Sequence, residues 1–259
     1  MKKELFRKGL VLGIIFLFVG VGVIPSLGGT VVEKTTIMDS KSGSYIQDLI
    51  DNASDGDTIN IPSGTYYENI VINKSINLFG EDKYTTVIDG NYSNDTIYVN
   101  ANNVKIKNFT IIHGNLYGIR LSYSKDSSII GNIISNNSYG IYLYESNSNT
   151  IKGNNISNNV RGIHLRYSYR NTVQKNNFID NGKDAFFVSK HIFLLFKRNR
   201  WRHNYWDESR LLPELIHGHA AIYFRVGSFG LVIGNIFHSV LIPLIPQIDW
   251  FPAKEPYDI

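Results

Sequence analysis

Gly118-Ile119-Arg120-Leu121, Gly140-Ile141-Tyr142-Leu143 and Gly162-Ile163-His164-Leu165 recur at intervals of 22 residues. The same interval links Ile112, Ile134, Ile156 and Phe178, and also Ile129, Ile151 and Val173. Polar columns keep the same step: Asn132, Asn154 and Asn176; Asn115, Asn137, Asn159 and Asn181; Ser124, Ser146 and Ser168. Within a period, short alternating runs such as Ile-x-Leu indicate strands, and the Asn, Ser and Gly between them indicate turns. A unit this small cannot close its own core, so it must stack on its neighbours. Equivalent residues then lie above one another at the strand spacing of ~4.8 Å. Leu121, Leu143 and Leu165 fall inside, Asn pairs with Asn at the bends, and Gly supplies a tight or positive-φ corner. The expected fold is all-β: a right-handed parallel β-helix of about seven coils, its hand following the bias of parallel crossovers.

Such a stack has strand edges to cover at both ends. Ile46, Leu49, Ile50 and Ala53 sit at helical spacing after Ser44, which predicts an N-terminal helical cap. After Val188 the register is lost, and an irregular C-terminal cap is expected. Residues 226–248 hold no Asp, Glu, Lys or Arg. Ser228, Asn235, His238, Ser239, Pro243 and Pro246 favour a hydrophobic segment folded over the last coil rather than a membrane span. At the other end, Lys2, Lys3, Arg7 and Lys8 precede an apolar run over 9–24, and Pro25 and Ser26-Leu27-Gly28 follow. This reads as a signal peptide or an N-terminal membrane anchor. The expected domains are residues 1–28 for that segment, 29–43 for a linker, 44–189 for the repeats, and 190–259 for the last coil and cap.

The chain has 26 basic and 22 acidic side chains, but the first 28 residues carry four of the bases and one of the acids. What remains is 22 against 21, too even for a nucleic-acid partner. The basic stretch Lys190 to Arg202, interleaved with Phe193, Phe196 and Trp201, reads as a solvated last coil. There is no cysteine, hence no disulfide, thiolate ligand or cysteine nucleophile.

The run Tyr45 to Asn91 contains Ser63-Gly64-Thr65-Tyr66-Tyr67-Glu68-Asn69, Ile76-Asn77-Leu78-Phe79-Gly80 and Val87-Ile88-Asp89-Gly90. With the Gly-Ile-x-Leu coils, it resembles the NosD-like, or carbohydrate-binding and sugar hydrolysis, β-helix family. Asn204-Tyr205-Trp206-Asp207 and the closing Pro252 to Asp258 are similar to the ends of such proteins. The resemblance implies the fold and says little of activity, since the family is named mainly by its repeats.

On each Gly-Ile-x-Leu strand the outward positions give Arg120, Tyr142 and His164, with Ser122, Tyr144 and Arg166 beside them. Just before the Gly stand Tyr117, Tyr139 and Arg161. The candidate carbohydrate-binding residues are therefore Arg120, Tyr142, His164, Tyr144, Arg166, Tyr139 and Arg161, which offer ring stacking and planar hydrogen-bond forks. A solvated strand face uses the same residue types.

No catalytic residues are assigned. Pectate-lyase-like relatives gather acids for calcium, and polygalacturonase-like relatives use Asn-Thr-Asp and Asp-Asp motifs. Neither motif occurs here, and Asp126, Glu145, Asp180 and Asp184 fall in different columns. No metal or cofactor is assigned either. Soft copper needs thiolate or thioether ligands. Beyond Met1 the chain has only Met38, and only His217 and His219 are close in sequence. Asn52, Asn73, Asn91, Asn94, Asn108, Asn136 and Asn155 head glycosylation sequons.

The expectation is an extracellular or cell-surface protein, a non-catalytic carbohydrate-binding or adhesion module. Its partner is a polysaccharide or glycan, and membrane attachment could run through the N-terminal segment. The alternatives are a polysaccharide lyase or glycoside hydrolase, and a periplasmic copper-binding accessory protein.

Overall fold

The computed structural model describes residues 31–32, 43–189, 198–207, 214–216, 218–225, 237–243, 247–249 and 253–259. Each turn of chain gives three short strands, one to each of three sheets. The first sheet stacks Thr58–Ile61, Asn77–Gly80, Lys105–Lys107, Ser128–Ile130, Thr150–Lys152, Thr172–Gln174 and Arg200–Arg202. The second stacks Gly64–Tyr67, Thr86–Asp89, Thr110–Ile112, Ile133–Ser135, Asn155–Ser157, Asn177–Ile179 and Tyr205–Trp206. The third stacks Ile70–Ile72, Ile97–Val99, Tyr117–Ser122, Tyr139–Tyr144, Arg161–Arg166 and Ala185–Ser189. All of these pairings are parallel, so the chain is a β-solenoid. Six turns are complete, and Arg200–Arg202 with Tyr205–Trp206 open another.

The expected columns form. Leu121, Leu143 and Leu165 are register partners and at most 1% exposed. Ile129, Ile151 and Val173 form a second internal stack. Each such side chain contributes ~1.5–3 kcal/mol by leaving water. One column is shifted. Ile111, not Ile112, lies beneath Ile134, and Gly114, not Asn115, donates its N–H to Asn137. The cause is a corner of four residues, 113–116, where the next turn has three, 136–138, so a 22-residue step back misses by one.

Asparagine closes the corners. Asn132, Asn154, Asn176 and Asn204 are fully buried, and each Oδ1 above accepts the backbone N–H of the Asn below, at 3.0–3.1 Å. Parallel ladders run through Asn137, Asn159 and Asn181 and through Asn149, Asn171 and Asn199. Ser124, Ser146 and Ser168 pass the same bond along by their hydroxyls.

The glycines of Gly-Ile-x-Leu play a different part from the one expected. Gly118, Gly140 and Gly162 have no positive φ. A Cβ on Gly140 would stand 2.7 Å from the Gly162 carbonyl oxygen, so the close approach of successive turns excludes it. The left-handed corners fall to Gly131 and Gly153 and to non-glycine residues such as Tyr123, Glu145 and Tyr167.

Closure of the N-terminal end differs from a helical cap over the whole edge. The terminal strand of the first sheet pairs instead with Val31–Val32. The helix Tyr45–Asn52 buries Ile46 and Ile50 and serves the third sheet, where the Gln47 amide both accepts from and donates to the Val71 backbone. Ser44 makes no side-chain cap. The Glu68 carboxylate does that work from the first turn, accepting the N–H groups of Ile46 and Gln47.

After Ser189 the register returns, but 28 residues later: Thr172 pairs with Arg200 and Asn177 with Tyr205. Arg200 and Arg202 are exposed on either side of buried Trp201. Beyond them, Gly218–Arg225 continues the third sheet and pairs antiparallel with Phe237–Pro243. Gln247–Asp249 continues the first and pairs antiparallel with Glu214–Ile216. Tyr257 exchanges two hydrogen bonds with the Asn177 side chain, and the Tyr84 hydroxyl donates to the Ile259 carbonyl. The signal or anchor segment lies outside the described residues, as does 226–236. Among the described residues no helix is long and apolar enough to cross a membrane.

Candidate functional site

The third sheet carries its side chains in vertical columns. Tyr98, Arg120, Tyr142, His164 and Phe186 are consecutive register partners. On one side runs Tyr117, Tyr139 and Arg161, on the other Ser122, Tyr144 and Arg166. All seven residues singled out from the sequence thus lie on one wall. Tyr98 and Phe186 extend it at both ends. They keep the 22-residue step, but their strands lack the Gly-Ile-x-Leu signature, with Thr96 and Asp184 at the glycine position.

Neighbouring rungs stand close enough for their rings to interlock. Tyr117 stacks on Tyr142 at 4.5 Å and Tyr139 on His164 at 5.7 Å, while Phe186 tilts against His164 at 5.1 Å. Tyr142 is therefore only 6% exposed and supports the wall more than it faces outward. The half-buried rings of Tyr98, Tyr117, Tyr139 and Phe186 form the accessible surface. Cations lie over them: Arg120 at 5.1 Å from Tyr98, Arg161 at 4.9 Å from Tyr139, and Lys183 at 4.3 Å from Phe186. Arg161 also donates to the Tyr139 hydroxyl.

This packing sets the electrostatics. Burial pushes the hydroxyl pKa values of Tyr117 and Tyr142 up. Burial, then hydrogen bonding with Tyr123, takes Tyr144 to about 12. Burial, then the charges of Arg161, Arg166 and Lys183, lowers His164 to about 4, and neither of its ring nitrogens has a partner. His164 is thus neutral at pH 7. For Arg166, burial works downward, but hydrogen bonds with the Tyr167 and Tyr142 hydroxyls outweigh it and hold the guanidinium charged.

Acids are sparse on the wall. Asp95 sits one turn below Tyr117, 3.5 Å from Arg120, and burial raises its pKa despite that arginine. Glu145 follows Tyr144 at the far end of its strand. With ~3.3 Å per residue the backbones of Asp95 and Glu145 are offset by roughly 20 Å along the strand direction, where paired glycosidase carboxylates span ~5–9.5 Å. A separate pair at the corner below joins Asp89 to His113 Nδ1 at 3.0 Å, with Tyr92 stacked on the imidazole at 4.5 Å. The 22-residue pattern does not reach this pair, because neither residue recurs in it.

A family model described as periplasmic copper-binding protein (NosD) matches residues 14–211. The chain belongs to the NosD family. A cell surface glycoprotein of Methanothermus fervidus is 36% identical to this NosD protein over 105 residues, 39% of this chain and 17% of the relative. The NosD chain thus spans about a sixth of that relative's length. Among solved structures, ORF18 of Geobacillus virus E2 superposes with a TM-score of 0.52 at 20% identity, covering 64% of this chain and 38% of that one. The catalytic domain of a GH87 alpha-1,3-glucanase in complex with nigerose gives 0.51 at 19%, covering 65% and 36%. These two likenesses show the fold alone.

Copper finds no ligand set among the described residues of this NosD member. No group of three or more His, Cys, Asp or Glu is present, and the sequence lacks cysteine. The histidine with free nitrogens, His164, is enclosed by rings and by three cations that repel a metal ion. His217 and His219 fall among residues whose side chains are not described.

Proposed function

We propose that the third-sheet wall binds polysaccharide at the cell surface, as a non-catalytic carbohydrate-binding or adhesion module. The observation that carries this is the column Tyr98, Arg120, Tyr142, His164 and Phe186, flanked by Tyr117, Tyr139 and Arg161, with no carboxylate pair at catalytic spacing among the described residues. Half-buried tyrosines held rigid by their neighbours give ring faces for sugar at small entropic cost, and the arginines add directed donors. The relative named a cell surface glycoprotein supports the location, and so does the apolar run over 9–24. The alpha-1,3-glucanase complex is an instance of this fold holding sugar.

A glycan array tests the reading. Binding is expected, and Tyr139→Ala and Tyr98→Ala are each expected to weaken it about tenfold, the loss of one stacking partner. Incubation with the bound polymer should release no new reducing ends or unsaturated products. An array without binding, or binding unmoved by both substitutions, removes the proposal; released products move it to the enzyme class.

A further inference from the structure

The wall is unevenly charged along its length. At the Arg120 level the guanidinium is matched by Asp95 at 3.5 Å. Two and three turns on, Arg161, Arg166 and Lys183 surround His164, and among the described residues none of them has a carboxylate within ion-pair distance. Among the described residues the ion pairs are His113–Asp89 and Arg120–Asp95. The nearby acids are engaged: Asp184 accepts from Asn181 Nδ2 at 3.0 Å, and Glu145, at the Arg166 end of the wall, hydrogen-bonds with the Tyr144 hydroxyl. What holds the cations in place is aromatic. Arg161 lies over Tyr139, Arg166 over Tyr144 and Tyr167, and Lys183 over Phe186.

Other lysines and arginines among the described residues also lack an ion pair, so what sets these three apart is that they gather around one side chain, His164. Like charges this close repel one another, and an ordinary solvated face would intersperse acids. An anion laid across the strip relieves that repulsion. Arg161 and Lys183 stand on successive turns, which repeat at ~4.8 Å, so a polymer lying along the solenoid axis can meet both in sequence, with Arg166 at the other end of the Arg161 strand. The Tyr139 and Phe186 rings beneath Arg161 and Lys183 hold those cations in place for it.

We infer that the wall selects acidic polysaccharide, with Arg161, Arg166 and Lys183 taking the anionic groups and Tyr139 and Phe186 holding Arg161 and Lys183 in position. This rests on the carbohydrate-binding reading and narrows its ligand class. Arginine's planar fork suits carboxylate or sulfate, and the lysine adds a point charge.

Two acidic polymers and their neutral counterparts decide it: polygalacturonate against its fully methyl-esterified form, and dextran sulfate against dextran. Affinity for at least one acidic member should exceed that for its neutral counterpart by roughly tenfold or more, and should fall as salt rises. The member that binds tells carboxylate from sulfate. Arg161→Gln/Lys183→Gln should lose about tenfold of that affinity, the loss of charge-assisted bonds to the anion. Lys107→Gln/Lys152→Gln removes the same charge from exposed positions of the first sheet and should change affinity less than about twofold. Thermal unfolding should match between the two variants. Equal binding of acidic and neutral polymers, equal losses from both variants, or no binding to either acidic polymer overturns the inference. Neutral glycans bound on the array under those outcomes would leave the broader reading standing.

Discussion

Asn154 holds Asn132 by two bonds at once. Its Oδ1 accepts the Asn132 backbone N–H at 3.0 Å and the Asn132 Nδ2 at 3.1 Å. Its own Nδ2 reaches the Ile129 carbonyl and Asn176 Oδ1, both at 2.9 Å. The corner is buried, and the Asn132 N–H finds no backbone partner there and would otherwise go unpaired. One side chain repeated at each turn supplies what they lack.

Asn154→Ala therefore strands the Asn132 N–H without water and takes the side-chain donor from the Ile129 carbonyl. The expected cost is roughly 3 kcal/mol or more, read from the shift of the urea midpoint. Asn115→Ala, at an exposed corner position without a positive φ, should stay within ~0.5 kcal/mol. Equal effects would mean that the ladder is ornamental to stability.

Gly140 and Gly153 are glycines for unlike reasons, and substitution separates them. Gly140→Ala forces a Cβ to 2.7 Å from the Gly162 carbonyl oxygen, and ~1–3 kcal/mol of destabilisation follows. Gly153 has φ +63 and open space around it, so Gly153→Ala should cost about 1 kcal/mol. Gly153→Asn should recover most of that loss, since asparagine tolerates this backbone and Asn108 adopts it at the corresponding bend.

His164 makes stability depend on pH. Its folded pKa of about 4 lies below the ordinary 6.5, so the unfolded chain takes up the proton first as pH falls. Its contribution is whole above about pH 6.5 and is lost progressively toward pH 4. The loss is on the order of 2 kcal/mol, tempered by partial exposure. His164→Phe keeps an aromatic rung and should flatten the urea midpoint between pH 7 and pH 4.5 relative to the parent. An unchanged slope in that variant would assign the pH dependence to other groups.

Much of this was legible because residues 117–179 repeat without insertion. There a fixed step of 22 is a fixed place in space, so Leu121, Leu143 and Leu165, and Arg120, Tyr142 and His164, could be stacked on paper. Earlier turns hid the same architecture. Leu78 pairs with Ile106 at 28 residues and Ile106 with Ile129 at 23, and no constant interval shows them. Tyr98 and Phe186 kept the interval but not the motif around it. The burial of Tyr142 was out of reach, since it depends on the tyrosine of the turn below leaning across. Asp89 and His113 meet from adjacent turns at a one-off corner, where the repeat offers no template.

The bends between first and second sheet are alike from Asn108 to Asn204: two residues, the first left-handed and the second buried. Extra chain enters instead at the corners on either side of the third sheet, as at 113–116 and in the 28-residue step to Arg200. One edge of the solenoid thus behaves as a rigid spine, and the rims of the aromatic wall are where length is free to vary. Loops can be added, trimmed or grafted beside the wall while the spine goes on setting the height of every rung.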